Sequence, residues 1–578
     1  YTEYDGAGRV SKQWLPIVSS GGFVNLSSFY QGSTLYNNDT HACTETHYEA
    51  SPLNRVDWQQ GPGAAWIKNR TLSAYDTNVK NEVKSFTVSG ASLINSGYYD
   101  PATLYKTTVS DEDGNPATEY KDKLGRVVMK RGITDEAGNH DTYYVYNDLG
   151  QLCFVLPPYA ADASGSADAV NKYGYVYRYD ARGNCTYKKL PGCEPINMTY
   201  YTNDLLETSQ DGNQYAKNEK LKYVYDGLNR LVSTSLEVNS VSTVLTENYY
   251  DNYDFTATQP NLVFVTNAGY DAQYSSAKGL LTGTRTRILD NSNTYIYTAI
   301  YYDYRGLPVQ TRSTNHLGGY DYVYNAYKFT GQVSKNLKVH SIPGQAAINE
   351  LYLYGYDHAG RLDTVTYQLN DKTPVVLALN TYDDLGRLIA KKRHNGADNE
   401  AFEYNLRNWP TKITSGAFVE NLYYNSNPIN SKPCFNGNIS YQTWMYKNDT
   451  YGYLYEYDKL NRLTYADYIY KGTYPNCFWE YFYYDKMGNI SIIDRGGQEQ
   501  IQNIDYLTYW YDGNKVTSIQ DDYLSQNQYS IKEYQDKSAY YAPNEMTYDA
   551  NGNLTQDLDR DIYTIKYNYL NLPEIIQF

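Results

Sequence analysis

The chain has 578 residues, and its 65 acidic against 50 basic side chains leave a formal charge of −15. Phosphate binding draws on clustered cationic side chains, so that balance argues against a nucleic-acid partner. Tyrosine is the anomaly, at 71 residues against 13 Phe and 7 Trp in a hydrophobic share of 41%, which excludes a thick aliphatic core and favours extensive sheet with half-wet aromatic faces.

From the first residue onward one phrase recurs: an aromatic, Asp or Asn, two variable residues, Gly or Asn, then Arg, Asn or an apolar residue. Tyr4-Asp5-x-x-Gly8-Arg9 opens the chain, so the natural amino terminus is expected upstream. Residues 10–110 carry weak copies, and residues 1–110 are set apart as an amino-terminal module with divergent repeats. That stretch holds His41-x-Cys43-x-x-x-His47, a possible metal trio lacking the fourth ligand of structural zinc, and Gly61-Pro62-Gly63-Ala64-Ala65-Trp66, which fails the dinucleotide fingerprint at its last position. Residues 111–578 form the repeat region proper. It begins with a beat in which Asp111, Asp122, Asp135 and Asn147 each stand three residues before Gly114, Gly125, Gly138 and Gly150. Asp111-Glu112-Asp113-Gly114-Asn115 lacks calcium-loop spacing and fits a hairpin tip.

The Ala-rich stretch Ala160 to Asn171 is expected to make one short helix. Next come Tyr179-Asp180-x-x-Gly183-Asn184 and, after Cys185 and Cys193, which either pair across a hairpin or stay free, Tyr225-Asp226-x-x-Asn229-Arg230. Residues near 231–300 and 409–450 are read as irregular insertions. The clearest copies lie between and after them: Tyr356-Asp357-x-x-Gly360-Arg361, Tyr382-Asp383-x-x-Gly386-Arg387, Tyr457-Asp458-x-x-Asn461-Arg462, Tyr484-Asp485-x-x-Gly488-Asn489 and Tyr548-Asp549-x-x-Gly552-Asn553. Degenerate copies start at Tyr146, Tyr302, Tyr404 and Tyr567.

Asp at the first position of a type I turn accepts from backbone N–H groups further on, and Gly at the fourth tolerates a positive φ; Asn is the next best occupant there. A type I turn followed by a left-handed residue makes a bulged hairpin connection. Tyr at every second position before the turn, as in Tyr453-Leu454-Tyr455-Glu456-Tyr457, gives each strand a tyrosine face. The chain therefore reads as all-β, a long run of antiparallel hairpins.

The repeated Tyr-Asp dipeptide resembles the RHS or YD-repeat family, and Phe435-Asn436-Gly437-Asn438-Ile439-Ser440 with Trp444 resembles a recurring stretch of bacterial members. The resemblance implies a hairpin strip spiralling into a hollow shell. In bacterial polymorphic toxins and insecticidal toxin complexes such shells enclose a carboxy-terminal toxic polypeptide. It further implies an exported bacterial protein at the cell surface or secreted, with a polypeptide cargo or downstream toxin domain and secretion or cell-envelope proteins as partners. The self-cleavage segment of such shells is expected beyond Ile575-Ile576-Gln577-Phe578. An acidic wall would attract a basic payload.

No P-loop, zinc-protease or nucleophile-elbow motif is present, and exposed turn aspartates are under no pressure to shift their pKa values apart. The expectation is a non-enzymatic scaffold with no catalytic, cofactor-binding or metal residues, no nucleic-acid partner and no transmembrane segment, its marked residues being the structural turns above. The alternative is a cell-surface adhesin or carbohydrate-binding repeat protein using tyrosine rows as stacking platforms; a third reading puts an enzyme site in the irregular segments.

Overall fold

The computed structural model describes residues 1–18, 22, 24, 36–134, 138–290, 293–416, 418–426, 428, 429, 431–475, 477–497, 503–522, 534–537 and 544–578. Asp135, expected to start a turn, lies outside them. Among the described residues, 36 strands join one sheet and three two-stranded sheets stand apart, at Lys84–Ser89 with Ser92–Tyr98, Met546–Tyr548 with Leu554–Asp557, and Thr564–Tyr567 with Pro573–Gln577. Pairing is antiparallel, and neighbours in the sheet are neighbours in sequence wherever a turn phrase intervenes, as in Ile348–Tyr356 with Leu362–Leu369. The stretches with weak repeats also build this sheet. Strands Cys43–Tyr48, Val56–Gln60 and Thr71–Thr77 belong to it, as do Leu231–Val238, Val241–Asp251, Pro410–Ser415 and Phe418–Tyr423.

The backbone divides into two compact units. The first comprises residues 1–197, 211–213 and 403–578, the second 198–210 and 214–402. In the first unit, apolar burial is split among small clusters. The largest gathers Phe86, Leu104, Tyr120, Met129, Tyr143 and Leu156, and others form around Tyr441 and Ile469 and around Leu507 and Ile519. The second unit holds a cluster of Leu262, Ala299, Tyr301 and Val309. Strands such as Leu362–Leu369 are half-buried at every position, alternate residues included. A sheet covered on one side would alternate buried with exposed, so such strands lie in a single layer with neither face fully covered.

The expected single helix over Ala160 to Asn171 is two, Pro158–Asp162 and Ala167–Tyr173. Ser164 and Gly165 take φ of 55° and 71° between them, which stops the first helix, and the Ser166 side chain caps the second by accepting from Ala169 N at 3.4 Å. The first helix adds its buried Ala160 and Ala161 to the largest cluster, and Val170 and Tyr173 of the second pack against it. No helix among the described residues is long and apolar enough to cross a membrane.

Candidate functional site

Each turn phrase builds the same local structure. In Tyr356 to Leu362, Gly360 N donates to Asp357 O at 3.0 Å and Asp357 N to Arg361 O at 2.9 Å. The Asp357 carboxylate then does the rest: Oδ1 accepts from Ala359 N and Arg361 N at 2.9 and 2.8 Å, and Oδ2 from Arg361 Nε at 2.7 Å. The turn bonds recur at Asp5–Gly8, Asp180–Gly183, Asp226–Asn229, Asp383–Gly386, Asp458–Asn461, Asp485–Gly488 and Asp549–Gly552, all between 2.9 and 3.1 Å. The fourth position is left-handed throughout, from φ 62° at Asn229 and Asn461 to 94° at Gly183. Where Arg gives way to Asn, the amide takes over the guanidinium's bond: Asn184, Asn489 and Asn553 each donate Nδ2 to Oδ2 of their Asp, at 3.1, 3.0 and 2.9 Å. That shared donor role explains the Arg/Asn alternation.

The tyrosine and the arginine also tie consecutive turns together. Tyr356 donates its hydroxyl to Val333 O at 2.9 Å, Tyr382 to Leu362 O at 2.8 Å, Tyr484 to Leu463 O at 2.8 Å and Tyr179 to Leu152 O at 2.9 Å. The acceptor in each case is the first strand residue after the preceding turn. Tyr457 and Tyr548 also donate to main-chain carbonyls, of Ile439, outside a strand, and of Val516, the second residue of its strand. The cation of the preceding turn lies over the same ring: Arg361 is 4.7 Å from the Tyr382 centroid, Arg462 4.4 Å from Tyr484 and Arg230 4.3 Å from Tyr250. Arg387 pairs with Asp383 at 2.6 Å, and Arg9 combines both contacts, with Asp5 at 2.7 Å and Tyr48 at 4.5 Å. Tyr225 packs edge-on against Tyr201, and Tyr4 is exposed.

Hydrogen bonds from the backbone of Arg9, then from its guanidinium, hold the Asp5 carboxyl below the usual carboxylate range, and Arg230 does the same to Asp226. Burial raises the Tyr457 phenol to about 12. Anions kept ionised and phenols kept neutral suit a framework, not proton transfer.

The other sequence candidates scatter. His41 meets Thr40 at 3.0 Å and His47 stacks on Trp58 at 5.3 Å. Cys43 is buried, and that burial lifts its thiol to about 11. Cys185 and Cys193 do not form a disulfide with each other; their thiols donate to Tyr187 O and Asn551 O. The structure instead gathers Asp536, Glu545 and Asp559 with ligand atoms within 4.8 Å. No local sequence spacing announces that trio, because its members sit on separate segments.

Two odd segments of the sequence, Gly61–Trp66 and Phe435–Asn438, meet in the first unit. Trp66 Nε1 donates to Phe435 O at 2.9 Å, and its ring lies edge-on to Phe435 and Trp409 at 5.9 Å. Arg407 stacks over Trp66 at 4.2 Å, donates to Pro62 O at 3.0 Å and pairs with Glu112 at 3.1 Å. Phe435 N and Asn436 N donate to the Asp113 carboxylate at 2.8 and 3.2 Å. Burial raises the Asp113 pKa. Gly63, at φ 118°, has no room for a side chain, since a Cβ there would sit 2.6 Å from the Trp66 ring. Further contacts follow along the first unit: His140 Nδ1 with Lys486 O at 2.9 Å, Lys515 Nζ to Gly192 O at 2.5 Å and Asn213 Nδ2 to Asp549 at 2.8 Å. The partners are 346, 323 and 336 residues apart, so late segments of the first unit dock on early ones at a nearly constant separation.

A family model described as a domain of unknown function, DUF6443, matches residues 1–80. No curated protein matches the sequence. Among solved structures, a mutant Tc holotoxin pore of Photorhabdus luminescens is similar over 100% of this chain and 26% of its own, at 12% identity and a TM-score of 0.68. A TcdB2–TccC3 crystal structure is similar over 100% of this chain and 27% of its own, also at 12% identity and a TM-score of 0.68. The chain thus shares their fold and spans about a quarter of their length.

Proposed function

We propose that the protein is a non-enzymatic RHS-repeat scaffold whose strip of hairpins forms a shell, or part of one, that encloses a polypeptide. The observation that carries this reading is the fold likeness to Tc toxin structures along the whole chain. Two features support it independently. Strands such as Leu362–Leu369 are half-buried at every position, with neither face fully covered, and an enclosing wall needs one wetted face on each side. The Tyr–carbonyl and Arg–Tyr ties hold consecutive turns at fixed spacing without an aliphatic core behind them. The repeat resemblance extends the proposal to an exported bacterial protein, secreted or at the cell surface, whose cargo is a toxic polypeptide.

The test is protection. A Lys-rich unstructured polypeptide appended after Phe578 is digested with trypsin beside the same polypeptide alone. Enclosure predicts that the appended copy survives long after the free one is cut. Equal cleavage rates overturn the proposal.

A further inference from the structure

One face of the sheet in the second unit already has a length of chain lying on it. Directly opposed residues of antiparallel strands share a side, so the register puts Tyr301, Gln310, Tyr324, Leu337, Leu351 and Gln368 in one row. A second row beside it contains Arg312, Tyr322, Val339 and Asn349. Neither row contains a carboxylate, in a chain of net charge −15.

Residues 253–276 lie as a strap over the Tyr301 end of these rows, with two 3-10 turns at Asp254–Thr258 and Pro260–Leu262. The sheet's side chains bond to the strap's main chain. Gln310 grips Val265 at both polar atoms, accepting from its N at 3.1 Å and donating to its O at 2.8 Å. Tyr301 donates to Leu262 O at 2.7 Å, and Arg312 Nε and Tyr322 donate to Asn261 O at 2.9 and 3.3 Å. Aromatic faces supply the apolar half of the contact: Tyr253 stacks on Tyr301 at 4.4 Å and Phe264 meets it edge-on at 5.4 Å. Gln310 and Arg312 are buried beneath the strap. Peptide groups are common to every sequence, so this mode of holding is nearly indifferent to which residues pass over the face.

Beyond the strap the same rows continue as Leu337, Val339 and Leu351, half-buried, with Asn349 and Gln368 at the margin, and Leu353, 40% exposed, stands on the same face in the next row, opposite Lys335. We propose that this uncovered continuation binds an extended, apolar-rich polypeptide segment in the manner of the strap, side-chain amides taking its main chain and the aliphatic row its side chains. The occupant is a guest polypeptide, and the absence of carboxylates means that the surface does not select a basic one. The inference rests on the enclosure reading and names where in the second unit a guest would lie.

Two labelled synthetic peptides test it by fluorescence anisotropy with the intact protein: one with the sequence of residues 253–266, the other with those residues scrambled. Both are expected to bind, with affinities within about threefold of each other. Leu351→Asp, which puts a charge into the row, should weaken both by about tenfold or more, while Lys338→Ala, opposite Glu350 on the other face, should change neither. If Leu351→Asp does not fold, Leu353→Asp carries the same test on a more exposed side chain of the same face. The proposal fails if neither peptide binds, if only the native order binds, or if the row variants bind as the parent does. Protection of an appended polypeptide with no peptide binding removes this site and leaves enclosure standing; binding without protection does the reverse.

Discussion

A single aspartate organises each repeat. The Asp357 carboxylate accepts three hydrogen bonds from its own turn, so any replacement that cannot accept them frees several donors at once. The local part was legible in the sequence because Asp and Gly three residues apart is a statement about one turn. The far end was not: Tyr382 donates to Leu362 O, 20 residues upstream, and nothing in a dipeptide names a carbonyl on a neighbouring hairpin. Gly386, at φ 87°, gives the first prediction. Gly386→Val forces a β-branched residue into the left-handed region and should destabilise by about 1–3 kcal/mol, read as a lower Tm by calorimetry; an unchanged Tm would contradict the turn geometry. The second prediction concerns pH. Asp383 is held below the usual carboxylate range because, against the opposing effect of burial, its bonds from the Arg387 guanidinium and backbone prevail. A lowered folded pKa contributes stability that is complete above the unfolded value of about 3.9 and is lost as pH falls through the folded one. Thermal stability should therefore drop below about pH 4, and Asp383→Asn should make that drop shallower.

At the scale of elements, hairpins were foreseen and their docking was not. The alternation in Tyr453 to Tyr457 predicts a strand, and Asp449–Tyr457 is one. Gly61–Trp66 reads in sequence only as a failed dinucleotide fingerprint and Phe435–Ser440 as a stretch resembling one in bacterial repeat proteins; their union at Trp66 and Phe435 joins residues 369 apart, and such a contact leaves no local periodicity to read. The helix break was within reach, since Gly165 interrupts the Ala-rich run. The clasp yields the third prediction. Arg407 is 10% exposed and paired with Glu112, so Glu112→Gln leaves a buried cation without its counter-charge and should cost about 3–5 kcal/mol. Adding Arg407→Met should recover most of that loss, because an apolar side chain between Trp66 and Trp409 needs no partner. A double variant as unstable as the single one would mean that the loss does not come from an uncompensated Arg407 charge.

Across the whole molecule, the sequence foresaw an all-β strip because one phrase, repeated from Tyr4 to Tyr567, makes every hairpin pack on the next. Small apolar clusters in place of one thick core agree with a chain of 71 tyrosines. The strap over residues 253–276 lay in a stretch read only as an irregular insertion, since its meaning depends on the face beneath it, which sequence order does not reveal. Single-particle cryo-electron microscopy of the 578-residue chain tests the central claim most directly. The account predicts a wall one sheet thick around a solvent-filled space, whereas two sheets packed face to face about 10 Å apart, with no space between, would contradict it.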